Sequence, residues 1–348
     1  MQHTTTRYIL TLGLLAMSMG IAWSQEGSET PSTPQDQQLL QLMEAGEFEQ
    51  AIALLEQMRD EDQAQVVHLA LLGGLYVEMG DPESALQTLE PLAAVENADP
   101  AVLYNTGRAA SALGKIEAAY GYYSRSAAAA PGSPAERELG LLLSMAGQYE
   151  KAYPYLRRWI SSYPEDEQVR LVAALTAVQL VRPSEALAFV TPLDPDRPQV
   201  RLLTGRAQLL LADPQAAIDT LEPLMAAPPP QMEVDIRRTL AEAKATIGQA
   251  AEAVELLAGH VGEDPSAILQ LGLAQYQSGN LDGALETLGP LAMMLVEGVN
   301  AGQDLPPGDA TAVGLVREYG RLLVTAGRHE EALPYLQLSS QLEPENKQ

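Results

Sequence analysis

Leu72-Gly73-Gly74-Leu75-Tyr76, followed by Gly80, Ala85 and Leu89, is the stretch that decides the fold. Four residues separate Gly80 from Ala85. The same step recurs at Gly46/Ala51, Gly114/Ala119, Gly147/Ala152, Val181/Ala186, Ala212/Ala217, Gly248/Ala253, Gly279/Ala284 and Gly327/Ala332. Successive alanines are 34, 34, 33, 34, 31, 36, 31 and 48 residues apart. A period near 34 residues is that of a helix–turn–helix unit stacked in an array.

Two further slots keep the same register. A small residue stands seven positions before the turn at Gly73, Gly107, Gly140, Ala174, Gly205, Ala241, Gly272 and Gly320. A large residue stands four after the alanine at Leu55, Leu89, Tyr123, Leu156, Leu221, Leu257, Leu288 and Leu336. Antiparallel helices approach closely only where a small side chain faces the partner, and the large residue fills the groove beside that contact. The turn glycine ends the first helix, because it tolerates the left-handed conformation. Proline at Pro131, Pro164, Pro265 and Pro344 is read as ending the second helix.

These slots resemble the tetratricopeptide repeat family, with its L-G-x2-Y, A-x3-F and P positions. The resemblance covers residues 36 to the C-terminus in about nine units, although leucines such as Leu69 and Leu103 replace the family Trp. It implies an all-α fold, a right-handed α-solenoid of about nine helix–turn–helix repeats. It also implies a protein that binds proteins or peptides in a concave groove lined by the first helices.

Three irregularities mark the array. The fifth and sixth units carry Val181 and Ala212 at the turn. Pro228-Pro229-Pro230 reads as a stiff joint, dividing repeats one to six (36–227) from repeats seven to nine (228–348). Residues 292–312 are inserted before the last unit; they begin on a helical apolar pattern and reach a loop at Pro306-Pro307-Gly308. The chain stops four residues after Pro344 with no separate capping helix, which predicts an exposed end or self-association there.

The N-terminus reads as an address. Arg7 precedes an apolar run from Tyr8 to Trp23, and Ala22-Trp23-Ser24 fits a signal-peptidase site, so residues 1–24 are expected to be a signal peptide cleaved near Ser24. The protein is then periplasmic or secreted; the alternative is an uncleaved membrane anchor. Residues 25–35 read as a flexible linker.

Composition narrows the functions. With 21 basic and 46 acidic side chains and a net charge of −25, the chain repels phosphate backbones and anionic headgroups, which argues against nucleic acid and membrane surfaces as partners. There is no cysteine, hence no thiolate catalysis or Cys-based zinc site. His68, His260 and His329 form no metal-binding spacing, and His329-Glu330-Glu331 lacks the second His of a zinc helix. Neither a phosphate-cradling loop nor a nucleophile elbow is present, so no enzyme activity, cofactor or metal is expected.

The groove positions carry the one chemical signal. Arg137, Arg238 and Arg317 lie three before the small slot, and Arg108, Arg206 and Arg321 one after it; Tyr104, Asn105 and Tyr276 fall on or near the same surface. A guanidinium grips a carboxylate in two places, so this pattern suggests an acidic segment or a free C-terminal carboxylate as ligand. The competing reading is internal pairing about one turn away, as Arg238 with Glu242 or Arg321 with Glu318. The leading function is a non-enzymatic scaffold of the cell envelope; the alternatives are a structural subunit of an envelope assembly or a regulator of a separate enzyme.

Overall fold

The computed structural model describes residues 33–260, 262, 264–302 and 310–342. Among these residues the chain forms 18 α-helices and no strand, an α-solenoid of paired helices. Unit one pairs α1 (Pro34–Ala45) with α2 (Phe48–Asp60), unit two α3 (Val66–Met79) with α4 (Pro82–Ala93), and unit three α5 (Pro100–Ala112) with α6 (Ile116–Ala129). Unit four pairs α7 (Pro134–Met145) with α8 (Tyr149–Ser162), unit five α9 (Glu167–Gln179) with α10 (Pro183–Val190), and unit six α11 (Pro198–Leu210) with α12 (Pro214–Leu221). Unit seven pairs α13 (Glu233–Thr246) with α14 (Ala250–Leu257), unit eight α15 (Pro265–Gln277) with α16 (Leu281–Asn300), and unit nine α17 (Ala310–Thr325) with α18 (His329–Leu342). The signal peptide, most of the linker and the last six residues lie outside the described residues. No described helix is long and apolar enough to cross a membrane.

Within a unit, the small and large slots meet. A Cβ added to Gly73 would stand 2.3 Å from Leu89 Cγ, and one added to Gly107 would stand 2.7 Å from the Tyr123 ring. The same contact recurs at Gly140/Leu156, Gly205/Leu221, Gly272/Leu288 and Gly320/Leu336. The alanine after each turn is buried in all nine units, from Ala51 to Ala332.

The turn keeps its conformation even where glycine is missing. Val181 and Ala212 sit at φ 54° and 59°, beside 70° to 89° for the turn glycines. A β-branched side chain is strained there, because its Cβ crowds the following carbonyl. Val181 is exposed and contributes little packing in return. Val181→Gly is therefore expected to stabilise the protein by about 1 kcal/mol. A urea midpoint that stays put or falls would reject this.

Proline marks beginnings more often than ends. Pro34, Pro82, Pro100, Pro134, Pro183, Pro198, Pro214 and Pro265 each stand in the first turn of a helix, where the missing N–H is not needed. Two expectations change as a result. Pro265 opens α15 instead of closing the helix before it, which ends at Leu257. The linker, expected to reach residue 35, gives way to helix at Pro34, where Thr33 and Asp36 cap each other's backbone N–H groups.

The chain forms two compact parts, the described residues up to Val172 and those from Ala173 onward. The division falls within α9. At Pro228-Pro229-Pro230, a 3₁₀ turn (Glu222–Ala226) leads into the prolines, while Ile218 and Leu221 before them share one core with Ile236 and Leu240 after them. The first nine residues of the 292–312 insertion extend α16 to Asn300. Ala292 is buried there in a core with Leu315, Tyr319 and Leu322 of the last unit. Pro306-Pro307-Gly308 lies outside the described residues.

Candidate functional site

The arginines of the first helices gather in three places. In the first compact part, Arg108 on α5 donates to Glu78 Oε1 on α3 and lies 5.8 Å from the centre of the Tyr104 ring. Burial is the strongest single influence on Arg108 and works against its charge, but the Glu78 hydrogen bond and the attraction of Tyr104, Glu78 and Tyr123 together outweigh it and hold its pKa above the ordinary value. Burial also pushes the Tyr104 hydroxyl up to about 12, with Arg108 opposing. Arg137 on α7 donates from Nε to Asp166 Oδ2 at 2.8 Å, and also to Glu138 and Gln168, each at 2.8 Å. Asn105 is turned inward and buried, away from the row holding Tyr104 and Arg108.

Asp166 is a junction. It accepts from Arg137, from the Trp159 indole N–H at 3.0 Å and from the backbone N–H of Val169 at 3.1 Å. Burial raises its pKa, but these donors more than compensate and hold it below the usual carboxylate value.

In the second compact part, one carboxylate joins two arginines. Asp235 Oδ1 on α13 accepts from Arg206 on α11 at 2.6 Å and from Arg238 at 2.8 Å. Arg238 also reaches Asp264, the N-cap of α15, at 3.5 Å. Arg206 and Arg238 are mostly covered, with side chains 16% and 24% exposed. Further along, Arg317 and Arg321 both meet Glu318, at 3.3 and 3.4 Å, in a more open setting. Tyr276 is exposed on α15.

Internal partners are thus present, and most come from the neighbouring unit. Glu78 precedes Arg108 by 30 residues, while Asp166 and Asp235 follow Arg137 and Arg206 by 29. Arg238 bonds to Asp235 and Asp264, while Glu242 accepts from Gln270 at 3.0 Å. A search for carboxylates one repeat away finds Glu78 for Arg108, Asp166 for Arg137 and Asp235 for Arg206, while a search one turn away finds Asp235 for Arg238 and the expected Glu318 for Arg321. His68 is a packing residue, buried with its ring 3.0 Å from Asp36. Among the described residues, no group of three or more His, Asp or Glu is arranged to hold a metal ion.

Residues 42–105, the end of unit one through the start of unit three, match the tetratricopeptide repeat family model. Over those residues the chain is built of tetratricopeptide repeats, and the small and large slots of the repeat recur in the helix pairs that follow. Solved tetratricopeptide structures of low identity are similar to it. One from Parabacteroides merdae is 17% identical, with TM-score 0.48, and covers 64% of this chain and 90% of its own. MamA from Desulfovibrio magneticus is 22% identical, with TM-score 0.40, and covers 45% and 92%. The anaphase-promoting complex (APC/C) hetero-tetramer Cut9-Hcn1 is 16% identical, with TM-score 0.49, and covers 89% and 59%. No curated protein matches the chain in sequence. The tetratricopeptide repeat fold suggests a protein–protein interaction scaffold and is typically non-catalytic.

Proposed function

We propose that the protein is a non-enzymatic scaffold of the cell envelope that binds acidic protein segments, or a free C-terminal carboxylate, on the first-helix face of its repeats. The observation that carries this reading is the row Arg206, Asp235, Arg238 and Asp264, which crosses three successive first helices. A guanidinium has five N–H donors in a fixed fork. Asp235 engages the Nη2 of each arginine, so both forks keep donors while being held in one orientation. A partner carboxylate then meets pre-oriented donors and loses less entropy on binding. Arg7, the apolar run 8–23 and Ala22-Trp23-Ser24 support export, and Leu333, exposed on the last helix, supports self-association at that end.

The test uses the full chain with Arg206→Gln and Arg238→Gln together. A labelled acidic peptide with a free C-terminus, and a pull-down from the envelope fraction, are the readouts. The double variant is expected to bind the peptide about tenfold more weakly and with less salt dependence, at unchanged helicity. Unchanged partners together with unchanged salt sensitivity would overturn the reading.

A further inference from the structure

The second helices of units three and four reverse the charge of the chain. α6 and α8 together hold four basic side chains, Arg125, Lys151, Arg157 and Arg158, against Glu117 and Glu150, in a sequence with 46 acidic and 21 basic residues. Between the two helices lies a groove of about 500 Å³. Lys151, Pro154, Tyr155 and Arg158 form one wall, at the i, i+3, i+4 and i+7 spacing of a single helix face, and Tyr120 and Ala127 of α6 line the other. The groove can be reached from solvent: Lys151 is exposed, Tyr120 is 40% exposed and the Arg158 side chain 52%.

The wall sets an interval. Lys151 and Arg158 are seven residues apart, about 10.5 Å along α8. Pro154 and Tyr155 lie between them, and the Arg158 guanidinium stands 5.9 Å from the centre of the Tyr155 ring. Arg158 donates to Glu136 through Nη1, and its fork holds further donors. An occupant that meets both cations therefore carries two carboxylates about 10 Å apart, with a small or apolar surface between them. A helix with acidic residues at i and i+7 has that form.

The chain itself carries such a helix. Residues 34–62 of unit one hold eight acidic side chains and one basic, Arg59. On α2, Glu49 and Glu56 are seven apart, Ala53 lies between them on the same side, and Asp60 continues the stripe one turn on. Glu49, Ala53 and Asp60 are exposed, and Glu56 is held in place by a hydrogen bond from the Tyr76 hydroxyl. The alanine leaves room for the tyrosines of a groove to approach the helix closely. We propose that the groove between α6 and α8 docks α2 of a second copy of this chain, its carboxylates on Lys151 and Arg158. Groove and stripe are different surfaces, so the contact is heterologous, and a copy that gives its stripe to one neighbour keeps its groove for another.

Sedimentation of the full chain tests this at about 150 mM salt, which screens the repulsion between acidic bodies beyond about 8 Å. The wild type is expected to form dimers and longer chains as its concentration rises to about 200 µM. Lys151→Glu spoils the groove and Glu49→Lys the stripe, each at an exposed position. Either variant alone should associate at least about tenfold more weakly. An equimolar mixture of the two should recover dimers and nothing longer, because the first keeps an intact stripe and the second an intact groove. The proposal is overturned by a wild type that stays monomeric at about 200 µM, by association that persists in both variants, or by a mixture that stays monomeric.

Discussion

Truncation of Leu89 to alanine is expected to destabilise its unit by about 3 kcal/mol. Leu89 is fully buried, in a core with Ala93, Val102 and Leu103. It also fills the space opposite Gly73, where a Cβ would stand 2.3 Å from its Cγ. Gly73→Ala forces that side chain aside and should cost about 2 kcal/mol. The two changes are complementary, since the methyl that Gly73→Ala adds occupies part of the volume that Leu89 vacates. The double variant should therefore cost clearly less than the sum. Repeat arrays need not unfold in one step, so the measurement is amide exchange within α3 and α4 alongside urea titration. Additive effects would show that the two slots do not share one space.

Asp166→Ala should cost about 3 kcal/mol, because Arg137 loses its Nε partner in a mostly buried setting, Trp159 loses the acceptor of its N–H, and α9 loses its cap. The effect depends on pH in a set direction. The folded pKa of Asp166 is depressed, so its contribution is fully present above the unfolded value of about 3.9 and is lost as pH falls through the lower folded one. Urea midpoints of wild type and Asp166→Ala should stand well apart near neutral pH and converge in strong acid. A gap that stayed constant down to about pH 2 would rule out an ionised Asp166 as its source.

The fold was legible because its rules are local and repeated. A small slot, a turn and an alanine recur at a near-constant period, and each has a steric cause that any single unit displays. Val181 and Ala212 looked like degeneracy in sequence, yet the backbone there still turns left-handed. Proline was the ambiguous letter. It is excluded from most helix interiors but welcome in the first turn, so Pro34 reads as linker and Pro265 as a helix end, whereas each opens a helix.

The candidate sites were harder to read, for a different reason. The arginines stood out by slot, but the partners of Arg108, Arg137 and Arg206 lie one repeat away, and a carboxylate at that distance has no local signature in so acidic a chain. Asn105 is one residue from Tyr104, and a rotation of about 100° along the helix carries it from the face to the core.

The Gly73–Leu89 contact and its counterparts have a mechanical consequence. Each ties together residues 16 apart within one unit, so no such clasp reaches beyond its own hairpin. Tension applied to the ends of the chain would meet these clasps in series. Hairpins would peel away singly from the pulled end, each releasing about 34 residues, or about 100 Å of slack. Such a chain yields by lengthening in steps, and its slackened hairpins re-form from neighbours in sequence once the load is gone.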